Sequence, residues 1–300
     1  MFYGVPYKGS KNFIAEKIVN VIPSAENFYD LFAGGCSITH CAALFGKWEN
    51  FVCNDLSDVG IRLFRDAVAG KFKDEKRWIS REDFFRLKDA DPFIKFCWSF
   101  GNGGRDYLYG KDREPLKKML HEFVFGNDVP LSVFFDTKLD CREESPGDRL
   151  LWIKHFSKKT IRIELESLQR LERLQSLQGL ERLQSLQGLE MFLDRFSFFN
   201  EDYSQIQIKP NSVVYCDIPY RGTDPYFSDF DHDKFYDWAS KSDNPIFVSE
   251  YNMPDIFHLV FSTIKRCSYS AQNNRLKKNE NLYANEAGFA LLAKENLFLQ

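Results

Sequence analysis

Apolar positions alternate with polar ones in blocks along this chain, and the blocks change period several times. Residues 12–22 (Asn-Phe-Ile-Ala-Glu-Lys-Ile-Val-Asn-Val-Ile) carry apolar residues at helical spacing, with Ser10 as an N-cap candidate. Asn27 to Phe32 is a short apolar run of strand length, and Ile38 to Phe45 reads as the helix after it. Asn50 to Asp55 is a second short strand that ends in an acid. Strand, glycine turn, helix and strand with a terminal acid open a parallel α/β sheet. Later strands are expected at Arg195–Tyr203, Ser212–Cys216 and Pro245–Tyr251. Ile256–Cys267 has helix or strand character, and Ala287–Ala293 reads as a final edge strand.

Between these blocks the pattern breaks. Residues 63–148 mix charges, aromatics and glycines without strand alternation, and are expected to form an inserted, mainly helical domain. Within it, Ser99–Gly110 reads as a flexible loop rich in donors and aromatic rings. A helix from Arg149 to Arg162 is expected to return the chain to the sheet domain. The expected domains are thus 1–62 with 149–300, and 63–148.

Leu171–Gly179 (Leu-Glu-Arg-Leu-Gln-Ser-Leu-Gln-Gly) recurs unchanged as Leu180–Gly188, and leucine falls at every third position from Leu165 to Leu189. A period of three drifts about 60° per leucine on an α-helix, whereas a 3₁₀ helix would align the leucines. A helical rod with 3₁₀ character is expected over 165–190. The perfect duplication points to a length-tolerant spacer.

Composition sets the class. A chain of 300 residues with 44% hydrophobic and 28% charged residues can bury a sizeable core and reads as globular. The formal net charge of −3 supplies no global attraction to nucleic acid, so any such contact must come from local clusters. Those are Arg105, Lys111, Arg113, Lys117 and Lys118, then Lys154, Lys158, Lys159 and Arg162, and then Arg275, Lys277 and Lys278. The 7 cysteines are odd in number and lack any Cys-x-x-Cys spacing, which argues for reduced thiols in a cytoplasm and against a zinc site or disulfide framework. Neither a signal peptide nor a membrane span is indicated.

Two segments carry candidate chemistry. Phe32-Ala33-Gly34-Gly35 provides the glycines of a tight turn at a strand's carboxyl end, where backbone can approach a nucleotide-like ligand. Asp55, ending the next strand, is placed to accept hydrogen bonds from ribose hydroxyls. Asp217-Ile218-Pro219-Tyr220 closes the apolar run 213–216. The exocyclic amine of adenine is a poor nucleophile because its lone pair is delocalised. Two acceptors on its hydrogens, the Asp217 carboxylate and the Ile218 carbonyl, would favour a pyramidal nitrogen and stabilise the charge that develops on attack. Pro219 stiffens the turn. Tyr220 offers a stacking face worth about 1–3 kcal/mol.

Taken together these motifs resemble the S-adenosylmethionine-dependent DNA adenine N6-methyltransferases of the Dam-like kind. Tyr7-Lys-Gly-Ser-Lys11 is similar to that family's N-terminal cofactor segment, and Asp30–Ser37 to its methionine-binding loop. Asn54-Asp55 is similar to its ribose-binding pair, and Asn200–Tyr203 to the segment flanking the cofactor adenine. Asp217–Tyr220 matches the catalytic tetrapeptide, with Ile218 where the family most often has proline. Ser249–Pro254 and Arg275–Asn285 resemble segments near the substrate pocket and near DNA. The resemblance implies a Rossmann-like, mostly parallel sheet of seven strands with an inserted target-recognition domain. It implies Asp217, Ile218, Pro219 and Tyr220 as catalytic residues. It implies Tyr7, Lys11, Phe32, Ala33, Gly34, Gly35, Ser37, Asp55, Asp202, Tyr203 and Asp217 around S-adenosylmethionine. It also implies double-stranded DNA as partner, no metal, and a bacterial or phage origin, with or without a cognate restriction endonuclease. Related tetrapeptides serve RNA adenine and protein glutamine methyltransferases, and an inactive DNA-binding relative is a further alternative. Asp217 and the long insertion favour DNA.

Overall fold

The computed structural model describes residues 2–126, 129–135, 137–141, 144–159, 175–221, 230–266 and 277–298. The chain separates into two compact units. One comprises Met1–Val5, Gly9–Ala69 and Gly188–Gln300, the other Pro6–Lys8 and Gly70–Gln187.

The first unit is built on a seven-stranded sheet. Its strands are β1 (Asn27–Asp30), β2 (Asn50–Asn54), β3 (Phe196–Phe199), β4 (Ser212–Cys216), β5 (Ile246–Glu250), β6 (His258–Arg266) and β7 (Lys277–Ala284). Their spatial order is β3-β2-β1-β4-β5-β7-β6. The first five are parallel, while β7 runs antiparallel to both β5 and β6. This is the mostly parallel α/β sheet expected from the motifs. Every residue of β1, β4 and β5 is buried, as befits central parallel strands covered on both faces.

The order of the strands locates the site. From β1 the chain winds outward through β2 and β3, then returns to β4 on the other side of β1. The crevice between the carboxyl ends of β1 and β4 is the topological switch point, where open α/β sheets hold ligands. The register sets Asp30 beside Tyr215, so Asp217 emerges just past the end of β1. Below it, Tyr29, Val214, Cys216, Ile218, Phe235, Ile246 and Val248 form one apolar cluster.

The helices of this unit include α1 (Ala15–Val21), α2 (Ser37–Phe45), α3 (Asp58–Val68) and, late in the chain, α9 (His232–Lys241) and α10 (Glu286–Phe298). The first starts later than its apolar pattern suggests. Residue 14 caps it without a side-chain bond, and Ser10 Oγ instead receives the amide of Asn12 at 3.4 Å.

The second unit contains α4 (Arg81–Leu87), α5 (Pro92–Cys97), α6 (Glu114–Phe125), α7 (Pro146–Lys159) and α8 (Gln175–Ser185). It lies between elements of the sheet unit in sequence, but its limits differ from the expected 62/63 and 148/149. Helix α3 continues to Val68, and α7 joins the helical unit. The reason for the latter is Arg149, which is buried and donates to the carbonyls of Cys141 at 3.1 Å and Phe123 at 3.2 Å. Ile153 also packs with Leu120, Phe123 and Phe135.

Three further expectations are corrected. Ser99–Gly110 is a folded-back loop, not a loose one. Ser99 Oγ accepts the Gly104 amide at 2.9 Å, Phe100 N donates to Asp106 O, and Tyr107, Leu108 and Tyr109 are buried. Ala287–Ala293 lies inside α10 (Glu286–Phe298), not in an edge strand. Buried Asn285 accepts the Gly288 amide at 2.9 Å at its start, and alanine and leucine favour the helix. The last strand is instead β7, within the segment read as a basic stretch. The expected strand 195–203 ends at Phe199, and Tyr203–Gln205 forms a single 3₁₀ turn.

The repeat is described only from residue 175 onward; 165–174 lie outside the described residues. Helix α8 passes into a 3₁₀ segment, Leu186–Arg195, which is the mixed character expected. The spacer reading is corrected, because the second copy is packed. Leu180, Leu183, Leu186 and Leu189 are all at most 1% exposed. Leu180 and Leu183 are buried on α8, and from Leu186 onward the 3₁₀ period of three matches the leucine spacing. A Cβ on Gly179 would lie 3.3 Å from the Cys97 side chain, and Gln184 donates to Lys73 O at 3.2 Å. Leu183→Ala should therefore cost roughly 2–5 kcal/mol in urea unfolding. A loss below about 0.5 kcal/mol, the usual limit for surface substitutions, would restore the spacer reading.

Candidate functional site

The ends of β1, β2 and β4 present the carboxylates of Asp30, Asp55 and Asp217. Between the first two runs the turn Phe32–Cys36, held from several sides. Ala33 N donates to Asn54 O at 2.9 Å, and Gly34 N to Asp55 Oδ2 at 2.8 Å. Gly34 has φ 49° and Cys36 φ 54°, so the backbone passes through left-handed conformations there. The N-terminal segment lies against the same turn. Val5 N donates to Gly35 O at 2.9 Å, and Gly4 N to His40 Nδ1 at 2.9 Å. A Cβ on Gly4 would lie 2.3 Å from Gly35 O and 2.7 Å from Ser37 N, so only glycine fits.

Asp55 also accepts the Ser57 amide at 2.9 Å. Asn54 joins β2 to the later chain, donating to Leu31 O at 3.2 Å and Glu201 O at 3.0 Å. Phe32, Tyr203 and Phe230 form an aromatic group, with Phe32 5.4 Å from Tyr203 and 5.7 Å from Phe230. Tyr203 is buried in the apolar cluster. Asp202 caps the turn that follows by accepting the Ser204 amide at 3.0 Å.

The tetrapeptide sits across the switch point. The Ile218 side chain is buried in the core, which explains how an aliphatic residue serves there and anchors the turn. Pro219 O is 2.8 Å from His232 Nε2, and Arg221 N donates to Glu250 Oε2 at 3.1 Å. Lys11 Nζ lies 2.7 Å from Asp217 Oδ1, 3.9 Å from Glu280 Oε2 and 4.5 Å from the Tyr220 ring centroid. The Tyr220 hydroxyl donates to Glu280 Oε2 at 2.6 Å, and the Tyr251 ring meets the Tyr220 ring edge-on at 4.5 Å.

The electrostatics are those of a crowded acidic cluster. Burial, and then the charges of Asp217 and Asp55, push the Asp30 carboxyl up to about 7 despite the hydroxyl of Thr39, which donates at 2.7 Å. Asp30 Oδ1 has no hydrogen-bond partner among the described residues. Burial and Asp217 also raise Asp55, although the Ser57 and Gly34 amides partly offset them. Glu250 is raised by burial. Burial, and then Asp217 and Glu280, hold the Tyr220 phenol well above its ordinary range, so it stays a donor. Such a cluster favours a ligand that brings positive charge.

The fold thus brings Lys11, Phe32–Gly35, Ser37, Asp55, Asp202, Tyr203 and Asp217–Tyr220 into one unit. Tyr7 belongs to the helical unit, where its ring is 5.0 Å from Phe96. Of the basic residues, Arg105, Lys111, Arg113 and Lys118 are exposed. Lys117 is not, since it is buried with its ammonium 5.9 Å from the Tyr109 ring and lowered by burial to about 8. Arg162 and Arg275 lie outside the described residues, as do the side chains of Lys154, Lys158, Lys159, Lys277 and Lys278. Sequence reasoning reached Tyr251 and Glu280 only as members of the segments Ser249–Pro254 and Arg275–Asn285, and missed Gly4 and His40 as site residues. Gly4 alone carried a local signal, a glycine a few residues before Lys11.

Residues 7–94 match the family model described as D12 class N6 adenine-specific DNA methyltransferase. The resemblance drawn from the motifs therefore holds over the segment that contains Lys11, Phe32–Gly35 and Asp55. No curated protein matches the chain.

Two substitutions test the site's construction. Gly4→Ala should lower stability by more than about 1 kcal/mol in urea unfolding. Gly9→Ala is the control, with φ 86° but nothing within 4 Å of its Cβ, and should cost less. Equal losses would contradict the close approach. For Asp30, the folded carboxyl titrates near 7 against an ordinary value of about 3.9. Between these values the folded chain keeps a proton that the unfolded chain has released, so stability falls as pH rises through the window. The limit is about 1.4 kcal/mol per pH unit. The advantage of Asp30→Asn over wild type should therefore grow from about pH 5 to about pH 8. A constant difference would show that Asp30 is not raised.

Proposed function

We propose that this protein is a site-specific DNA adenine N6-methyltransferase that takes its methyl group from S-adenosylmethionine and acts on an adenine turned out of the duplex. The D12 class match supports methylation of DNA adenine. The observation that carries the finer reading is the convergence of Asp217, Tyr220 and the acid-flanked turn Phe32–Gly35 on one switch point.

The residues present suit the cofactor. Its sulfonium and ammonium groups are cationic, which answers the mutual repulsion of Asp30, Asp55 and Asp217. The backbone of the turn and the Asp55 carboxylate would hold the methionine and ribose portions, with Phe32 and Tyr203 beside the adenine. When bound, S-adenosylmethionine supplies an electrophilic methyl group and leaves as a neutral thioether.

The chain's own groups prepare the acceptor. The Asp217 carboxylate and the Ile218 carbonyl accept the two hydrogens of the adenine amine, which makes its lone pair available. They then stabilise the positive charge that grows on nitrogen. Tyr220 stacks on the base and repays part of the few kcal/mol spent in unstacking it. Lys11, paired with Asp217 Oδ1, fixes that carboxylate. The helical unit, with Arg105, Lys111, Arg113 and Lys118 exposed, is assigned the phosphate contacts and target recognition.

The reading is tested with purified protein, labelled S-adenosylmethionine, and duplex DNA, RNA and protein acceptors in competition. Label should enter duplex DNA. Asp217→Ala should lower transfer by about 10²–10³ or more, with cofactor affinity changed only a few-fold. Preferential labelling of RNA or protein would replace the acceptor, and unimpaired turnover by Asp217→Ala would remove the mechanism. Raising the salt from about 50 to about 200 mM should weaken DNA binding by orders of magnitude. Salt-independent binding would contradict the phosphate contacts.

A further inference from the structure

The sheet delivers one carboxylate to this site from the far side. Glu280 lies in β7, paired with Thr263 of β6, and is 3% exposed. A carboxylate buried this deeply is costly unless it is partnered. Its Oε2 accepts the Tyr220 hydroxyl at 2.6 Å and lies 3.9 Å from Lys11 Nζ. Lys11 in turn is 2.7 Å from Asp217 and 4.5 Å from the centre of the Tyr220 ring. Tyr220, Lys11 and Asp217 are thus joined through a residue on a strand that antiparallel pairing holds on both sides.

We propose that Glu280 is a positioning residue for methyl transfer: by accepting the Tyr220 hydroxyl it fixes the plane of the ring on which the target base stacks. The inference rests on the methyltransferase reading and extends it to a residue outside the cofactor and tetrapeptide motifs. Tyr220 has two loose torsions. Contact with Tyr251 at its edge limits sliding, while the bond to Glu280 fixes the far end of the ring and so its tilt. A base stacked on a wandering ring would present its amine to Asp217 in the wrong direction, and small misplacements of a reacting group cost large factors in rate.

The test is a mutant cycle on Tyr220 and Glu280, read by kcat and KM on duplex DNA with cofactor affinity measured separately. Glu280→Ala should lower kcat/KM for DNA by about 10–100-fold and leave cofactor affinity within a few-fold. Glu280→Gln keeps an acceptor for the hydroxyl and should recover most of the loss. In the Tyr220→Phe background, which has no hydroxyl to hold, the further loss from Glu280→Ala should be small. Wild-type kcat/KM in Glu280→Ala, a Glu280→Gln variant as impaired as Glu280→Ala, or fully additive losses would each overturn the proposal. Should Glu280→Ala fail to fold, the cycle is run with Glu280→Gln and Tyr220→Phe. Weakening by Gln that persists undiminished without the hydroxyl would then count against it.

A wild-type protein that transfers no methyl group to DNA would defeat the functional reading instead. The Tyr220–Glu280 link is then read by ultraviolet difference titration, with the Tyr220 phenol assigned by Tyr220→Phe. Glu280→Gln should lower its titration point, and an unchanged point would defeat the link itself.

Discussion

A buried ammonium against a carboxylate, Lys11 on Asp217 at 2.7 Å, is the contact on which the site depends. It joins the N-terminal segment to the end of β4, two stretches separated in sequence by Gly70–Gln187 of the helical unit. Without it, the carboxylates of Asp30, Asp55, Asp217 and Glu280 would gather at the switch point with much less compensation. Charges in a low-dielectric setting interact strongly, so the crowding that adds to burial in raising Asp30 also makes the crevice attractive to a cation. Stability is spent at the site for electrostatic readiness, a usual feature of functional centres.

The rest of the sheet unit holds this arrangement still. β1 and β4 are buried along their whole length, which fixes where their terminal acids emerge. The turn after β1 is secured by the Asn54 carbonyl, by Asp55 and by the approach of Gly4. The turn after β4 is secured by buried Ile218, by His232 and by Glu250. Neither turn depends on a neighbour that is itself unsupported, which is what a reaction sensitive to ångström errors requires.

Much of this was legible in the chain. Short apolar runs closed by acids marked β1, β2 and β4, and Gly34-Gly35 marked the turn between strand and helix. What escaped has physical causes. Glu280 sits in a stretch dense with lysine and asparagine, which reads as solvated surface until antiparallel pairing turns one carboxylate inward. Ala287–Ala293 has strand-like apolar content, but its helix is started by Asn285, whose capping bonds no periodicity displays. The second leucine repeat looked expendable because it is an identical copy. Its leucines are nonetheless buried, Leu180 and Leu183 on α8 and Leu186 where the helix tightens to 3₁₀ geometry. Arg149 joined the helical unit by hydrogen-bonding carbonyls distant in sequence, a contact invisible to a local pattern.

The central claim is that the Asp217 turn and the Phe32–Gly35 turn form one methyl-transfer centre acting on DNA. It is tested most directly by mapping modified bases in the genomic DNA of cells that express the protein. The account predicts N6-methyladenine confined to one short sequence motif, and its disappearance when Asp217 is replaced by alanine. Unmodified adenine with the wild-type protein folded and present, or modification that survives the loss of Asp217, would contradict it.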